Sequence, residues 1–96
     1  MVTVRDGVAC FRFFRPAAAR VFLAGDFNGW RTDQLPMSRN ADGYWEAQLL
    51  LPDGCYRFSY VADGQWYVDY ASFGVEAGPA GLRSLLRIAP DSRYVG

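Results

Sequence analysis

Short runs in which apolar and polar residues alternate recur along the chain, broken at regular intervals by residues that favour turns. The alternation runs through 7–14, 20–25, 44–51, 55–62, 65–68 and 82–88, with a weaker piece at 35–38. A period of two is that of a strand with one buried face. Between the runs stand 26–29, 40–43, Pro52-Asp53-Gly54 and Asp63-Gly64, built from residues that accept positive φ or preset a turn. Helical spacing is not sustained anywhere, although 15–20, with its alanines, has room for one helical turn after Pro16. About seven short strands in a chain of 96 residues predict an all-β fold, an immunoglobulin-like β-sandwich. An open barrel is the alternative. Residues 69–81, DYASFGVEAGPAG, read as the one long connection, and long loops on a rigid sandwich often carry function.

A chain of this size supports a single domain, 1–96, without a second lobe to enclose a cleft. With 51% hydrophobic and 17% aromatic residues it has the material for a packed core, which excludes disorder. Ten acidic residues balance ten arginines, lysine is absent, and this neutrality argues against nucleic acid or an anionic membrane as partner. Histidine is absent too. That removes the commonest general base and metal ligand, so neither a metal nor another cofactor is expected. The opening MVTVRDGVACFRFF has no signal-peptide pattern and no apolar run reaches membrane-spanning length, which predicts a soluble cytoplasmic protein. Cys10 and Cys55 each fall in a predicted strand and are expected as reduced, core-packed thiols.

The sequences ADGYW (41–45) and ADGQW (62–66) read as one hairpin turn used twice, and strand parity gives their tryptophans opposite fates. In 44–51 the set Trp45, Ala47, Leu49 and Leu51 is apolar, so Trp45 faces the core. In 55–62 the aromatic set Tyr56, Phe58 and Tyr60 takes the inside, leaving Arg57, Ser59 and Val61 outside. With a two-residue turn at Asp63-Gly64, Val61 sits opposite Trp66 and both face outward near Arg57. A one-residue bulge there would reverse the direction of Trp66.

A second exposed candidate is Trp30, which closes VFLAGDFNGW after a turn of Asp26, Asn28 and Gly29. The order VFLAGDFNGW, DGYWEAQLLLPDGCYRFSYVADGQW and GLRSLLRI, spanning 21–88, resembles family 48 carbohydrate-binding modules. These include the glycogen-binding domains of AMP-activated protein kinase β subunits and the N-terminal domains of isoamylases and glycogen branching enzymes. The resemblance implies an immunoglobulin-like sandwich that binds α-1,4-glucans such as glycogen, starch or maltooligosaccharides, with a catalytic enzyme or kinase subunit as a further partner. It implies Trp30 and Trp66 as sugar-stacking platforms, with Arg57 where the kinase modules carry lysine. Two departures stand out. Arg83 replaces an asparagine that contributes hydrogen bonds to sugar, and Tyr70 replaces a proline after Asp69.

The chemistry of the residues points the same way. A pyranose offers a C–H face to an indole and a rim of hydroxyls to guanidinium or amide groups. Trp30, Arg57, Gln65, Trp66 and Arg83 supply those types and form the candidate site. Covering on the order of 100 Å² of apolar surface per stacked ring contributes about 2.5 kcal/mol. Less the ordering costs, that predicts roughly micromolar-to-millimolar binding. Arg83 reads either as a donor to sugar hydroxyls or as bulk that narrows the site, its parity with Leu85 and Arg87 also suiting a solvated edge.

Catalysis is not expected. A glycosidase needs two carboxyls flanking the bond, whereas Asp26, Asp42, Asp53 and Asp63 sit in turns they stabilise. The main rival reading is the same sandwich without a working sugar site, serving as a protein-interaction or regulatory domain. Single-stranded nucleic acid on RFRFF is a weaker rival, because parity buries Phe11 and Phe13. Residues 89–96 read as a tail or linker stub.

Overall fold

The structure, a computed structural model, describes residues 1–79 and 81–89. The described residues form ten strands: β1 (Val2–Arg5), β2 (Val8–Phe14), β3 (Val21–Gly25), β4 (Leu35–Pro36), β5 (Ser38–Arg39), β6 (Tyr44–Leu50), β7 (Gly54–Ala62), β8 (Gln65–Tyr67), β9 (Val75–Gly78) and β10 (Gly81–Ile88). They make two antiparallel sheets. One has the order β1-β2-β6-β5; the other runs β4-β3-β7-β10-β9, with β8 also paired to β7. This is the expected β-sandwich.

The alternation read from the sequence is what closes it. In the β2–β6 ladder Phe11 lies opposite Ala47 and Phe13 opposite Trp45, so one face of that sheet is apolar. From the other sheet come Val21, Leu23, Phe58, Tyr60, Leu86 and Ile88, all essentially inaccessible to solvent. The rings interlock across the interface, Phe11 edge-on to Phe58 at 5.1 Å and Phe13 stacked on Tyr60 at 4.5 Å. Trp45 is buried, as parity predicts, and its indole N–H donates to the Arg15 carbonyl at 2.8 Å.

Several expectations are corrected. The predicted strand at 35–38 is two pieces: β4 pairs β3 and β5 pairs β6, so the chain changes sheets at the buried Met37. Residues 15–20 form no helix; a turn closed by the Ala18 amide on the Arg15 carbonyl is used instead. The long connection 69–81 contains β9, whose Gly78 pairs with Gly81 and whose short run between glycines hides its period. Strand β1, ended by the Asp6-Gly7 turn, was not anticipated either. Cys10 and Cys55 are free, but neither is core-packed: Cys10 is half-buried and alternates with the buried Ala9 and Phe11, and Cys55 is exposed at the start of β7. The predicted tail lies, beyond Ala89, outside the described residues.

The two ADG turns also differ. Asp63-Gly64 is a two-residue hairpin with both φ positive, 49° and 81°, joining Ala62 to its partner Gln65. Before Trp45 the loop is longer, because the Asn40 side chain accepts from the amides of Asp42 and Tyr44 and wraps the chain around itself.

Strand β7 organises the second sheet. It pairs β10 over Gly54–Phe58, β3 over Phe58–Ala62, and β8 over Tyr60–Ala62. Its inward hydroxyl, that of Tyr60, donates at 2.6 Å to the buried carboxylate of Asp69, which also accepts from the Ala71 amide and the Met1 amino group.

Candidate functional site

The outward face of the second sheet follows from its ladders. Phe22 and Trp66 flank Val61, Ala24 lies beside Ser59, Leu85 beside Arg57, and Glu76 beside Arg83. Trp66 is 53% exposed on β8, opposite Val61, as a two-residue turn requires.

Trp30 reaches the same face by another route. After β3 a 3-10 turn, Asp26–Asn28, lifts the chain over the end of the sheet, and Gly29 and Trp30 both adopt left-handed φ, 63° and 62°. Such a φ is uncommon for a bulky residue and costs on the order of 1–3 kcal/mol. Local bonds hold it. The Trp30 amide donates to the Gly25 carbonyl at 2.9 Å, the Asn28 side chain accepts from the Gly25 amide at 3.0 Å, and the Trp30 indole N–H donates to Asp26 at 3.0 Å. The other Asp26 oxygen accepts from the Arg57 amide at 2.8 Å, tying the turn to β7.

The two indoles therefore meet, with ring centroids 6.3 Å apart and planes at 40°. They border an open depression of about 420 Å³ lined by Trp30, Ser59, Trp66, Pro79, Leu82 and Arg83. Two tilted indoles make a cradle for a curved apolar surface, and the polar groups sit at its rim.

Arg83 and Arg57 are held by one carboxylate. Glu76 accepts from the Arg57 Nε and, at 3.0 Å, from Arg83, while Arg57 also lies 3.5 Å from Asp26. The Glu76 hydrogen bond raises the affinity of the Arg57 guanidinium for its proton, and that bond holds the Glu76 carboxyl below its ordinary range. The Arg83 guanidinium lies 5.7 Å from the Trp30 ring centre. A side chain at Gly78 would collide with Arg83, so the glycine lets the guanidinium lie against the backbone. Among the described residues, Arg83 Nε is the one buried side-chain polar atom without a hydrogen-bond partner.

Of the residues anticipated, Trp30, Trp66 and Arg83 line the depression and Arg57 stands beside it, linked through Glu76 and Asp26. Gln65 is not with them. It precedes Trp66 on β8, so alternation sends it to the opposite side of the strand, where it lines a different depression. The outward parity of Arg83 holds, but it is partly buried against Glu76 and is not a solvated edge. Sequence reasoning misses Glu76, because residues 69–81 read as loop. The pair of glycines flanking Pro79 is the signal that would have marked a hairpin and placed Glu76 opposite Arg83. It also left Asp26 as a turn residue, whereas its two oxygens join Trp30 to Arg57.

Comparison with known proteins bears on what such a site binds. Residues 2–74 match the family described as carbohydrate-binding module 48 (isoamylase N-terminal domain). A 1,4-alpha-glucan branching enzyme GlgB of Lactobacillus acidophilus is 31% identical over 95 residues, covering 94% of this chain and 15% of the enzyme. One from Chlamydia trachomatis is 36% identical over 93 residues, 91% of this chain and 12% of the enzyme. Protein PTST homolog 2, chloroplastic, of Arabidopsis thaliana is 40% identical over 53 residues, 55% of this chain and 10% of that protein. The chain thus matches no more than 15% of the length of these relatives.

Proposed function

Because the chain belongs to the carbohydrate-binding module 48 (isoamylase N-terminal domain) family, we propose that it is a non-catalytic module that binds α-1,4-glucans in the Trp30–Trp66 cradle. The observation that carries this reading is the meeting of two indoles, one from the turn after β3 and one from strand β8, at the edge of one depression. The twist of an α-1,4-glucan turns successive sugar faces, and two planes inclined at 40° suit neighbouring residues of such a chain better than a flat ribbon. Arg83 at the rim, and Arg57 beside it, carry guanidinium N–H groups beyond those that Glu76 uses, donors for hydroxyls. The module would hold a glucan-active enzyme, in the same chain or another, on its polymer.

A second reading is supported by one feature. The Arg83 guanidinium, fixed by Glu76, lies over the Trp30 ring and competes with sugar for it. In that reading the sandwich serves as a docking or regulatory domain.

Titration with maltoheptaose, with cellohexaose as control, followed by tryptophan fluorescence, separates the two. We expect a saturable change with the α-glucan alone, at roughly micromolar-to-millimolar concentration, and its loss in Trp66→Ala. Silence toward both sugars, in protein shown by circular dichroism to be folded, would overturn the glucan reading and turn the search to protein partners.

A further inference from the structure

On the side of β8 away from Trp66 lies a second depression, of about 450 Å³, lined among others by Phe14, Arg15, Pro16, Asp63, Gln65 and Tyr67. We propose that it is a second binding site for a neutral sugar chain, so that the module grips a glucan polymer at two places. This rests on the α-glucan reading of the first site.

The composition of the depression matches that ligand. Phe14, 56% exposed, ends β2 with its ring braced by Tyr44, the centroids 4.9 Å apart, a platform for the C–H face of a pyranose. The Arg15 guanidinium lies 4.3 Å from the centre of the Tyr67 ring and donates to its hydroxyl. That fixes a planar group whose five N–H donors exceed what one bond uses. Gln65, exposed, brings an amide that both donates and accepts.

Asp63 closes the set. Its carboxylate accepts from the amides of Ala19 and Arg20, which holds it in place while leaving lone pairs for a hydroxyl. The formal charges of Arg15 and Asp63 cancel, which disfavours a phosphate or an ammonium group and suits an uncharged polyol. Alternation along Gln65–Tyr67 puts the two sites back to back across one strand. A long glucan, or two branches of one, can therefore reach both, whereas a short oligosaccharide occupies them independently.

The test is titration of the uniformly 15N-labelled chain with maltoheptaose, watching two sets of NMR signals. One set is the indole N–H groups of Trp30 and Trp66; the other is the Gln65 side-chain amide and the backbone amides of Arg15 and Tyr67. The proposal expects both sets to move, and Phe14→Ala to silence the second while the first moves as before. The same variant should lose roughly tenfold or more in apparent affinity for soluble amylose, the contribution of the second attachment. Movement of the indole set alone overturns the second site and leaves the proposed function standing. Movement of the second set alone overturns the role of the first site and with it the grip at two places, and silence in both overturns both. Persistence of the second set in Phe14→Ala, with amylose affinity unchanged, also overturns it.

Discussion

Glu76 is the residue through which the site is organised, since its single carboxylate fixes both guanidiniums beside the indoles. Its proton affinity is lowered first by the Arg57 hydrogen bond. A carboxyl depressed in the folded state contributes above its unfolded value and loses that contribution as pH falls through the folded value. Glucan affinity should therefore stay level from neutrality through the ordinary glutamate range and fall only below it. In Glu76→Gln the arginines lose their common anchor, so affinity should drop several-fold at neutral pH and the acid limb should disappear; fluorescence titrations across pH check both. The outward direction of Trp66 was legible in the sequence because it needs only parity and a two-residue turn, both local properties. Glu76 was not, because its role depends on β9 pairing with β10 and on Arg57 two strands away.

At the scale of elements, the turn after β3 decides where Trp30 stands. Gly25 is the tight point: a Cβ there would lie 2.6 Å from the Arg57 carbonyl oxygen and 2.8 Å from the Phe27 ring. Gly25→Ala must push the 3-10 turn off β7, breaking the bonds that hold Trp30 in its left-handed conformation. We expect a loss of about 1–3 kcal/mol in urea denaturation. Glucan affinity should fall with it, since Asp26 moves with the turn. The long alternating strands β2, β6, β7 and β10 were readable because their buried faces impose a period of two. The two-residue strands β4 and β5 were read as one piece, because so short a run carries no period to show that its halves join different sheets.

Across the whole molecule the two sheets are joined by aromatic packing, and beside it the buried Asp69 accepts from Tyr60 of β7 and from the Met1 amino group just ahead of β1. Burial, then the hydrogen bond to Asp69, makes the Tyr60 hydroxyl a far weaker acid than a free tyrosine. Tyr60→Phe keeps the ring and removes the donor, leaving a carboxylate 5% exposed with one partner fewer. The expected cost is about 1–3 kcal/mol, read as a lower melting temperature, with glucan affinity little changed because the pair lies on the core side of β7. The sandwich itself was foreseeable from strand spacing, but this pair was not. Asp69 opens what reads as one long loop, and only its contacts with Tyr60, Ser84 and the Met1 amino group, distant in sequence, place it indoors.

The three residues of β8 have a mechanical consequence. Trp66 rides on a strand that pairs with β7 through Tyr60, Val61 and Ala62 alone, whereas Trp30 is laced to β7 through Asp26 beside the five-pair ladder of β3. A taut polysaccharide pulling on both rings loads these anchors unequally. On the proposed function, the anchor expected to yield first is β8, with three ladder pairs to β7 against the five of β3.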